Sequence, residues 1–205
     1  MSGRWFIARH GETVFNAAGR IQGDAPHTPL TRAGFAQAEA MGEALRARLG
    51  ARPEVTLWSS TAGRALQTLA IIAEHLELDW HEARTDGRLG EIGMGEWGGR
   101  YYRDLGPVLD PATWLFTRPA PGGEWYDAIA RRLQAWIDDH ASETGGRIVL
   151  MHGMSSRVLR GLLTGAEHRP EWGTPIAPSL PQGSVVEVAG GRETLLASAA
   201  GGERA

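Results

Sequence analysis

Trp5-Phe6-Ile7-Ala8-Arg9-His10-Gly11-Glu12-Thr13 is the stretch on which the reading of this chain turns. Trp5 to Ala8 is a short run of aromatic and apolar residues, the pattern of a buried strand. It gives way to charge, a histidine and a glycine, with Asn16 three residues beyond Thr13. In an α/β fold the carboxyl end of a strand is where rigid backbone can hold a reactive side chain toward a cleft. His10 is therefore the first candidate for chemistry. The apolar run is far too short for a signal-peptide core or a membrane span, so a soluble, cytoplasmic protein is expected.

Working outward, similar runs at Val55 to Trp58, Arg147 to Met151, Ser184 to Val188 and Thr194 to Ala197 read as further strands. Between them, Phe35, Ala38, Met41, Leu45 and Leu49 recur at helical spacing, with Thr31 as N-cap and Gly50 just past the end. The same period recurs in Ala65 to Leu76, Ile129 to Ile137 and Val158 to Leu163. Alternating strands and helices predict a three-layer αβα sandwich with a largely parallel central sheet. Residues 1–198 read as one domain, with a disordered tail from Ala199 to Ala205. Three long stretches lack a period: Gly11 to Leu30, Thr85 to Gly123 and Glu167 to Gly183. Such loops are usually functional, and the middle one is expected to hide short helices around Tyr101 to Leu105 and Pro111 to Phe116.

Composition narrows the chemistry. The chain has 205 residues, a formal charge of -3 and no cysteine, which removes thiol nucleophiles, disulfides and thiolate metal sites. The charge gives no basic field for nucleic acid or an anionic membrane, and small soluble substrates fit better. All 21 residues in the Lys and Arg total are arginine. Schiff-base mechanisms and a phosphate-loop lysine are thereby excluded, and a bound phosphate must be held by Arg or His.

Three more clusters adjoin strand ends. Ser59-Ser60-Thr61-Ala62-Gly63-Arg64-Ala65-Leu66-Gln67-Thr68 runs from a strand into a helix, where amide groups, the helix dipole and the fork of Arg64 all favour an anion. Leu89-Gly90-Glu91-Ile92-Gly93-Met94-Gly95-Glu96-Trp97 sets one carboxyl among apolar neighbours, surroundings expected to raise its pKa toward that of a general acid. Met151-His152-Gly153 places a second histidine after a strand, with Arg157 early in the next helix. A lone strand-end histidine or a lone arginine is commonly structural; four such motifs in order are not.

Taken together these motifs resemble the histidine phosphatase superfamily, in its phosphoglycerate-mutase-like branch, over roughly Ile7 to Leu163. The resemblance rests on Arg9 to Thr13, Asn16, Gly19-Arg20-Ile21-Gln22-Gly23, Pro29-Leu30-Thr31, the Ser59 and Glu91 segments, Pro121-Gly122-Gly123-Glu124 and His152-Gly153. It implies a doubly wound α/β sandwich, no metal, no organic cofactor and a monomer or homodimer. It also implies His10 as the nucleophile that becomes phosphorylated, Glu91 as proton donor, and Arg9, Arg64 and His152 as the phosphate pocket. Asn16, Gln22 and Gly23 would contact substrate or the transferred group. Gly11 and Thr13 of the signature and, more weakly, Arg20 join them as substrate-binding candidates. The chemistry is coherent: Arg9 and Arg64 disfavour protonation of His10 while binding the dianion, and in-line transfer then needs positioning and charge balance.

The sequence departs from the family pattern at His27, Gly98 and Trp125, where Asp or Glu, Glu and Ser are expected. His75, His81, His140 and His168 fit no motif and read as surface or structural, and Arg131-Arg132 and Asp138-Asp139 as solvated helix faces. Trp97, Tyr101, Tyr102, Trp114, Phe116 and Arg118 either line a substrate mouth or pack a lid. A phosphatase acting on a small-molecule phosphomonoester is the favoured reading. Its alternatives are a cofactor-dependent phosphoglycerate mutase, a protein phosphohistidine phosphatase, a phosphate receptor without turnover, and a serine hydrolase on Ser155 whose elbow lacks the glycine needed where Arg157 stands. The mutase is disfavoured by the compact interval from Glu91 to His152. Sugar phosphates, phosphoglycerate derivatives, nucleotide-like phosphates and a cobalamin-precursor phosphate all remain compatible.

Overall fold

The computed structural model describes residues 3–198, so the expected tail at 199–205 lies outside the described residues. In chain order the elements are β1 (Trp5–Arg9), α1 (Val14–Ala17), α2 (Arg32–Leu49), β2 (Val55–Ser59), α3 (Gly63–Leu76), β3 (Arg84–Thr85), α4 (Tyr126–Asp139), β4 (Gly146–Met151), α5 (Gly153–Thr164), β5 (His168–Arg169), β6 (Thr174–Pro175), β7 (Val185–Ala189) and β8 (Arg192–Ala197). Six strands form the central sheet in the order β3-β2-β4-β1-β7-β8. β1 to β4 run parallel, and β7 and β8 add an antiparallel hairpin beside β1.

Alternation along the strands sorts the core into two layers. Trp5 and Ile7 of β1 and Val149 and Met151 of β4 face one side, where Ile129, Leu133 and Trp136 of α4 and Val158 and Leu159 of α5 cover them. Phe6, Ala8, Ile148 and Leu150 face the other side, under Met41 and Leu45 of α2 and Leu69, Ile72 and Leu76 of α3. With both faces covered, the central parallel strands β1 and β4 carry near-continuous buried apolar runs, Trp5 to Ala8 and Ile148 to Met151, rather than alternating apolar with polar. Helices on both sides complete the three-layer sandwich.

Local signals set several boundaries. The Thr31 hydroxyl caps α2 by accepting from Gly34 N, and Gly50 ends it with φ +79°. Phe35, expected on the buried stripe, is 44% exposed instead. The helix buries Gly34, Ala38, Met41, Gly42 and Leu45, because its N-terminal turn is pressed against the backbone of the His10 loop. A Cβ on Gly11 would lie 2.3 Å from the Gly34 carbonyl oxygen, and one on Gly34 would lie 2.1 Å from that of Glu12. Of the hidden helices, Tyr102–Asp104 forms one turn of 3₁₀ helix. Pro111 to Phe116 is not helical: Asp110 Oδ1 accepts from the Ala112 and Thr113 amides, and Leu109 pairs with Phe116 across the turn.

Candidate active site

Strand register creates the site. Arg9 pairs with Met151 and Ser59 with Leu150, so His10, His152 and Ser60 emerge side by side beyond the ends of β1, β4 and β2. The two imidazoles lie 5.2 Å apart at 65°, and both are buried. His10 Nδ1 is 2.7 Å from the Gly11 carbonyl oxygen. A carbonyl only accepts, so this nitrogen carries the proton and Nε2 keeps its lone pair.

Arg64, entering on the second residue of α3, has no solvent exposure and joins the rings. Its Nε donates to His10 Nε2 and to His152 Nδ1, each at 3.2 Å. The other nitrogens are collared by the loop after Gln22: Nη1 donates to Ala25 O and Thr28 Oγ1, and Nη2 to Gly23 O. Since His152 Nδ1 accepts, its Nε2–H donates to Ser60 Oγ at 2.7 Å. Burial first, then the charges of Arg64 and Arg9, push His10 well below the ordinary imidazole value. Burial and Arg64 do the same to His152. Both rings therefore rest neutral.

Arg9 donates through Nη1 to Leu180 O at 2.6 Å, and burial brings its pKa down to about 10 against the raising influence of Glu91. Glu91 is held by backbone amides. Its sequence neighbours are apolar, yet its carboxylate sits on the first turn of α5. Oε1 accepts from Ile92 N and Ser155 N, and Oε2 from Met154 N at 3.0 Å. A helix N-terminus is a natural seat for an anion, and here a side chain of the protein itself occupies it.

His10, Arg9 and Glu91 share a narrow cavity of about 40 Å³ with Asn16, Gln22, Gly23, Met94, Tyr102 and Phe116. That is room for little more than two or three waters. Gln22 Nε2 stands 3.4 Å from His10 Nε2, and Gln22 Oε1 accepts from the buried Thr13 hydroxyl. Thr13 and Asn16 cap α1 reciprocally, which sets Asn16 at the cavity wall. Tyr102 stacks on Phe116 with centroids 6.4 Å apart, and its hydroxyl is pushed up to about 12 by burial and by Glu91.

Arg64 and His152 are absent from the lining and adjoin it through His10. Three substrate-binding candidates do not line this cavity: Thr13, whose buried hydroxyl is taken up by Asn16 Oδ1 and Gln22 Oε1, Arg20 and Gly11. Arg20 is held by Gly99 O at 2.7 Å and packs over the rings of Phe15 and Tyr101. Gly11 supplies the acceptor for His10 and the close approach to α2 instead of lining the cavity. Other residues carry weight that the sequence reading did not assign. Ser60 and Thr28 complete the histidine and arginine contacts. Arg132, expected to be solvated, is partly buried: Nε donates to Glu124 Oε1 at 2.8 Å and Nη2 to Glu124 Oε2 at 3.1 Å and to Glu91 O at 3.2 Å. Nη1 donates to Arg88 O, while Glu124 Oε2 accepts from Gly93 N. This ion pair fastens the 88–93 loop that carries Glu91. Arg131, by contrast, is solvated and pairs with Asp127 one turn away.

Among the described residues, no group of three or more His, Cys, Asp or Glu is placed to hold a metal ion, and no helix is long and apolar enough to cross a membrane. Adenosylcobalamin/alpha-ribazole phosphatase of Salmonella typhimurium is 31% identical over 169 residues, 78% of this chain and 80% of that protein. A Yersinia pestis protein named probable phosphoglycerate mutase GpmB is 32% identical over 168 residues, covering 78% of this chain and 74% of that one. Among solved structures, a mycobacterial glucosyl-3-phosphoglycerate phosphatase complexed with VO3 matches with a TM-score of 0.75 and 26% identity, over 94% of this chain and 96% of that one. The family model of the histidine phosphatase superfamily (branch 1) matches residues 5–200, a span that contains every strand of the sheet and each residue of the cavity. The chain belongs to that superfamily.

Proposed function

We propose that this protein is a phosphatase that hydrolyses a small, soluble phosphomonoester through a phosphohistidine on His10, with Glu91 as the proton donor. The observation that carries this reading is the Nε2 lone pair of a neutral His10, directed at the Arg64 guanidinium and sharing its cavity with Arg9 and Glu91. A phosphate dianion entering that cavity takes Arg64 Nε away from the imidazoles and is also met by Arg9. Ser60 makes His152 adaptable. When the Ser60 hydroxyl reverses and donates to Nε2, the ring proton moves to Nδ1, which then faces the anion as a donor.

In the first step Nε2 attacks phosphorus and the P–O bond to the substrate breaks, while Glu91, which takes up a proton from solvent as the dianion enters beside it, passes that proton to the leaving alcohol. In the second, water attacks the phosphorus of the N–P bond and gives its proton to the Glu91 carboxylate, releasing inorganic phosphate and restoring His10. No step in this scheme calls on a metal. The test is turnover of p-nitrophenyl phosphate in excess EDTA, with acid-quenched protein assayed for an acid-labile, base-stable phosphoryl group. Absence of both turnover and label between about pH 5 and 8 rejects the reading in favour of a phosphate receptor.

The 32% identity to a protein named as a mutase favours a second reading, in which the phosphoryl group returns to a bound phosphoglycerate. Mutase turnover that depends on a bisphosphorylated primer and outpaces hydrolysis would establish that reading instead.

A further inference from the structure

A cavity of about 490 Å³ lies behind the aromatic wall of the site, lined by Trp114, Trp172, Ile176, Arg157, Arg169 and Glu167 among others. Its size falls within the roughly 300–1,000 Å³ of pockets that hold small organic molecules. Two stretches separate it from the catalytic cavity. Trp114 and Leu115 line the outer space while Phe116 lines the inner one, and Ser179 borders the outer space next to Leu180, whose carbonyl holds Arg9.

Three features mark this cavity. Arg157 is 4% exposed, yet it meets only carbonyl oxygens: Nε donates to Ala177 O at 2.9 Å and Nη1 to Trp114 O at 3.4 Å. Among the described residues it has no ion pair, and its Nη2 has no bond. A guanidinium almost wholly withdrawn from water with no carboxylate in contact is an expensive arrangement, and burial lowers its pKa to about 10 against the raising influence of Tyr126 and Glu91. Trp114 holds a left-handed φ of +58° while leaving 39% of its surface exposed, a strained backbone that keeps an indole at the cavity mouth. Trp172 offers a second indole, with Arg169 packed over its ring at 5.2 Å. Glu167 and Arg169 stand exposed at the rim with opposite charges, so the net charge of the cavity is that of Arg157 at its buried end.

We propose that this cavity is a second binding site, for an organic anion with a flat apolar face: the anionic group pairs with Arg157, and the face lies against Trp114 and Trp172. Two sources have that chemistry, the far end of the phosphorylated substrate itself or a separate effector.

Calorimetric titration with 2-naphthoate, and with 2-naphthalenemethanol as its uncharged counterpart, tests the site on the full chain. The naphthoate should bind about tenfold more tightly than the alcohol. Trp114→Gly suits the left-handed backbone, so it removes the indole without adding strain; it should weaken both probes by about tenfold. Arg157→Gln should abolish the preference for the anion. Competition of naphthoate against p-nitrophenyl phosphate turnover marks the site as holding the far end of the substrate, whereas binding without competition marks it as an effector site. Equal affinity for the two probes overturns the proposal, as does naphthoate binding that Trp114→Gly leaves intact. The second outcome remains readable even where Arg157→Gln fails to fold.

Discussion

The catalytic cavity has two unlike sides. On one, His10, His152 and Ser60 project from adjacent parallel strands and Arg64 from the first turn of α3, with the hydrogen-bonding atoms of both rings assigned to a fixed partner. On the other, Tyr102 and Phe116 come from a segment held by a 3₁₀ turn, two isolated bridges, stacked rings and a hydrogen bond from Phe116 N to the Tyr126 hydroxyl. The sheet sets the first side to within a hydrogen-bond length, whereas the second could exchange side chains without disturbing a strand. Under the proposed mechanism phosphoryl chemistry falls to the first and choice of substrate to the second, a division that each of the following experiments can break or sharpen.

The largest effect is expected at the centre of the rigid side. His10→Ala should lower turnover by about 10⁴-fold or more and abolish the acid-labile label, since no other group supplies the nucleophile. Residual label in that variant would move the covalent step elsewhere. Glu91→Gln should cost about 10² to 10⁴-fold for an alkyl phosphate, and far less for p-nitrophenyl phosphate, whose leaving group needs no proton. Equal slowing of both substrates would remove Glu91 from the acid role.

The two neutral imidazoles also link stability to pH. Their folded-state values lie well below the ordinary 6.5. Above pH 6.5 neither the folded nor the unfolded chain holds these protons, so their contribution is constant. As pH falls through that value the unfolded chain takes up two protons that the folded pocket refuses, and stability drops by up to about 2.7 kcal/mol per pH unit. Urea midpoints at pH 7 and pH 5 measure this, and His152→Asn should roughly halve the slope. A flat midpoint would mean that the rings are not shielded and that the rigid side is not closed to water.

What the sequence could and could not convey follows the same division. His10 and His152 were legible because each follows a strand whose apolar pattern is unambiguous, and parallel pairing then brings strand ends together without further information. Arg64 could be identified as a phosphate-facing candidate, but not its complete burial, which depends on carbonyls at Gly23 and Ala25 that carry no side-chain signature. Helical periodicity located α2 but could not show that its first turn is pressed on the His10 loop, which leaves Phe35 outside. β3 has two residues, too few for any alternation to register. Arg132 was misread because a charged side chain reads as solvated until the backbone it meets is known, and the Glu91 carbonyl lies far away in sequence; Arg20, a weaker substrate-binding candidate in the sequence, turns instead to the equally distant Gly99 carbonyl.

Arg132 tests whether the Glu91 loop belongs with the rigid side. Its fork grips Glu124 at two oxygens and the loop backbone at Arg88 and Glu91, so Arg132→Met should let the carboxyl drift while leaving His10 in place. A displacement of that kind costs on the order of 10 to 10²-fold. The loss should fall on kcat and grow with the basicity of the leaving alcohol, as for Glu91→Gln. Arg132→Lys should rescue little, because an ammonium cannot reproduce the paired contacts. A uniform loss across leaving groups would assign Arg132 to general stability instead.

The smallest expected effect lies on the variable side. Tyr102→Phe keeps the ring stacked on Phe116 and deletes only a hydroxyl that lines the cavity near Glu91 and Arg9. If that hydroxyl meets the body of the substrate, its loss removes one hydrogen bond, about 0.5–1.5 kcal/mol, or a few-fold in KM. The value of kcat for p-nitrophenyl phosphate should stay unchanged, because in the proposed mechanism the phosphoryl group is met by residues of β1, β4 and α3. A fall in kcat that tracks leaving-group basicity would have the opposite meaning. Tyr102 would then share the proton with Glu91, and the boundary between a chemical side and a selective side would run behind the tyrosine rather than in front of it.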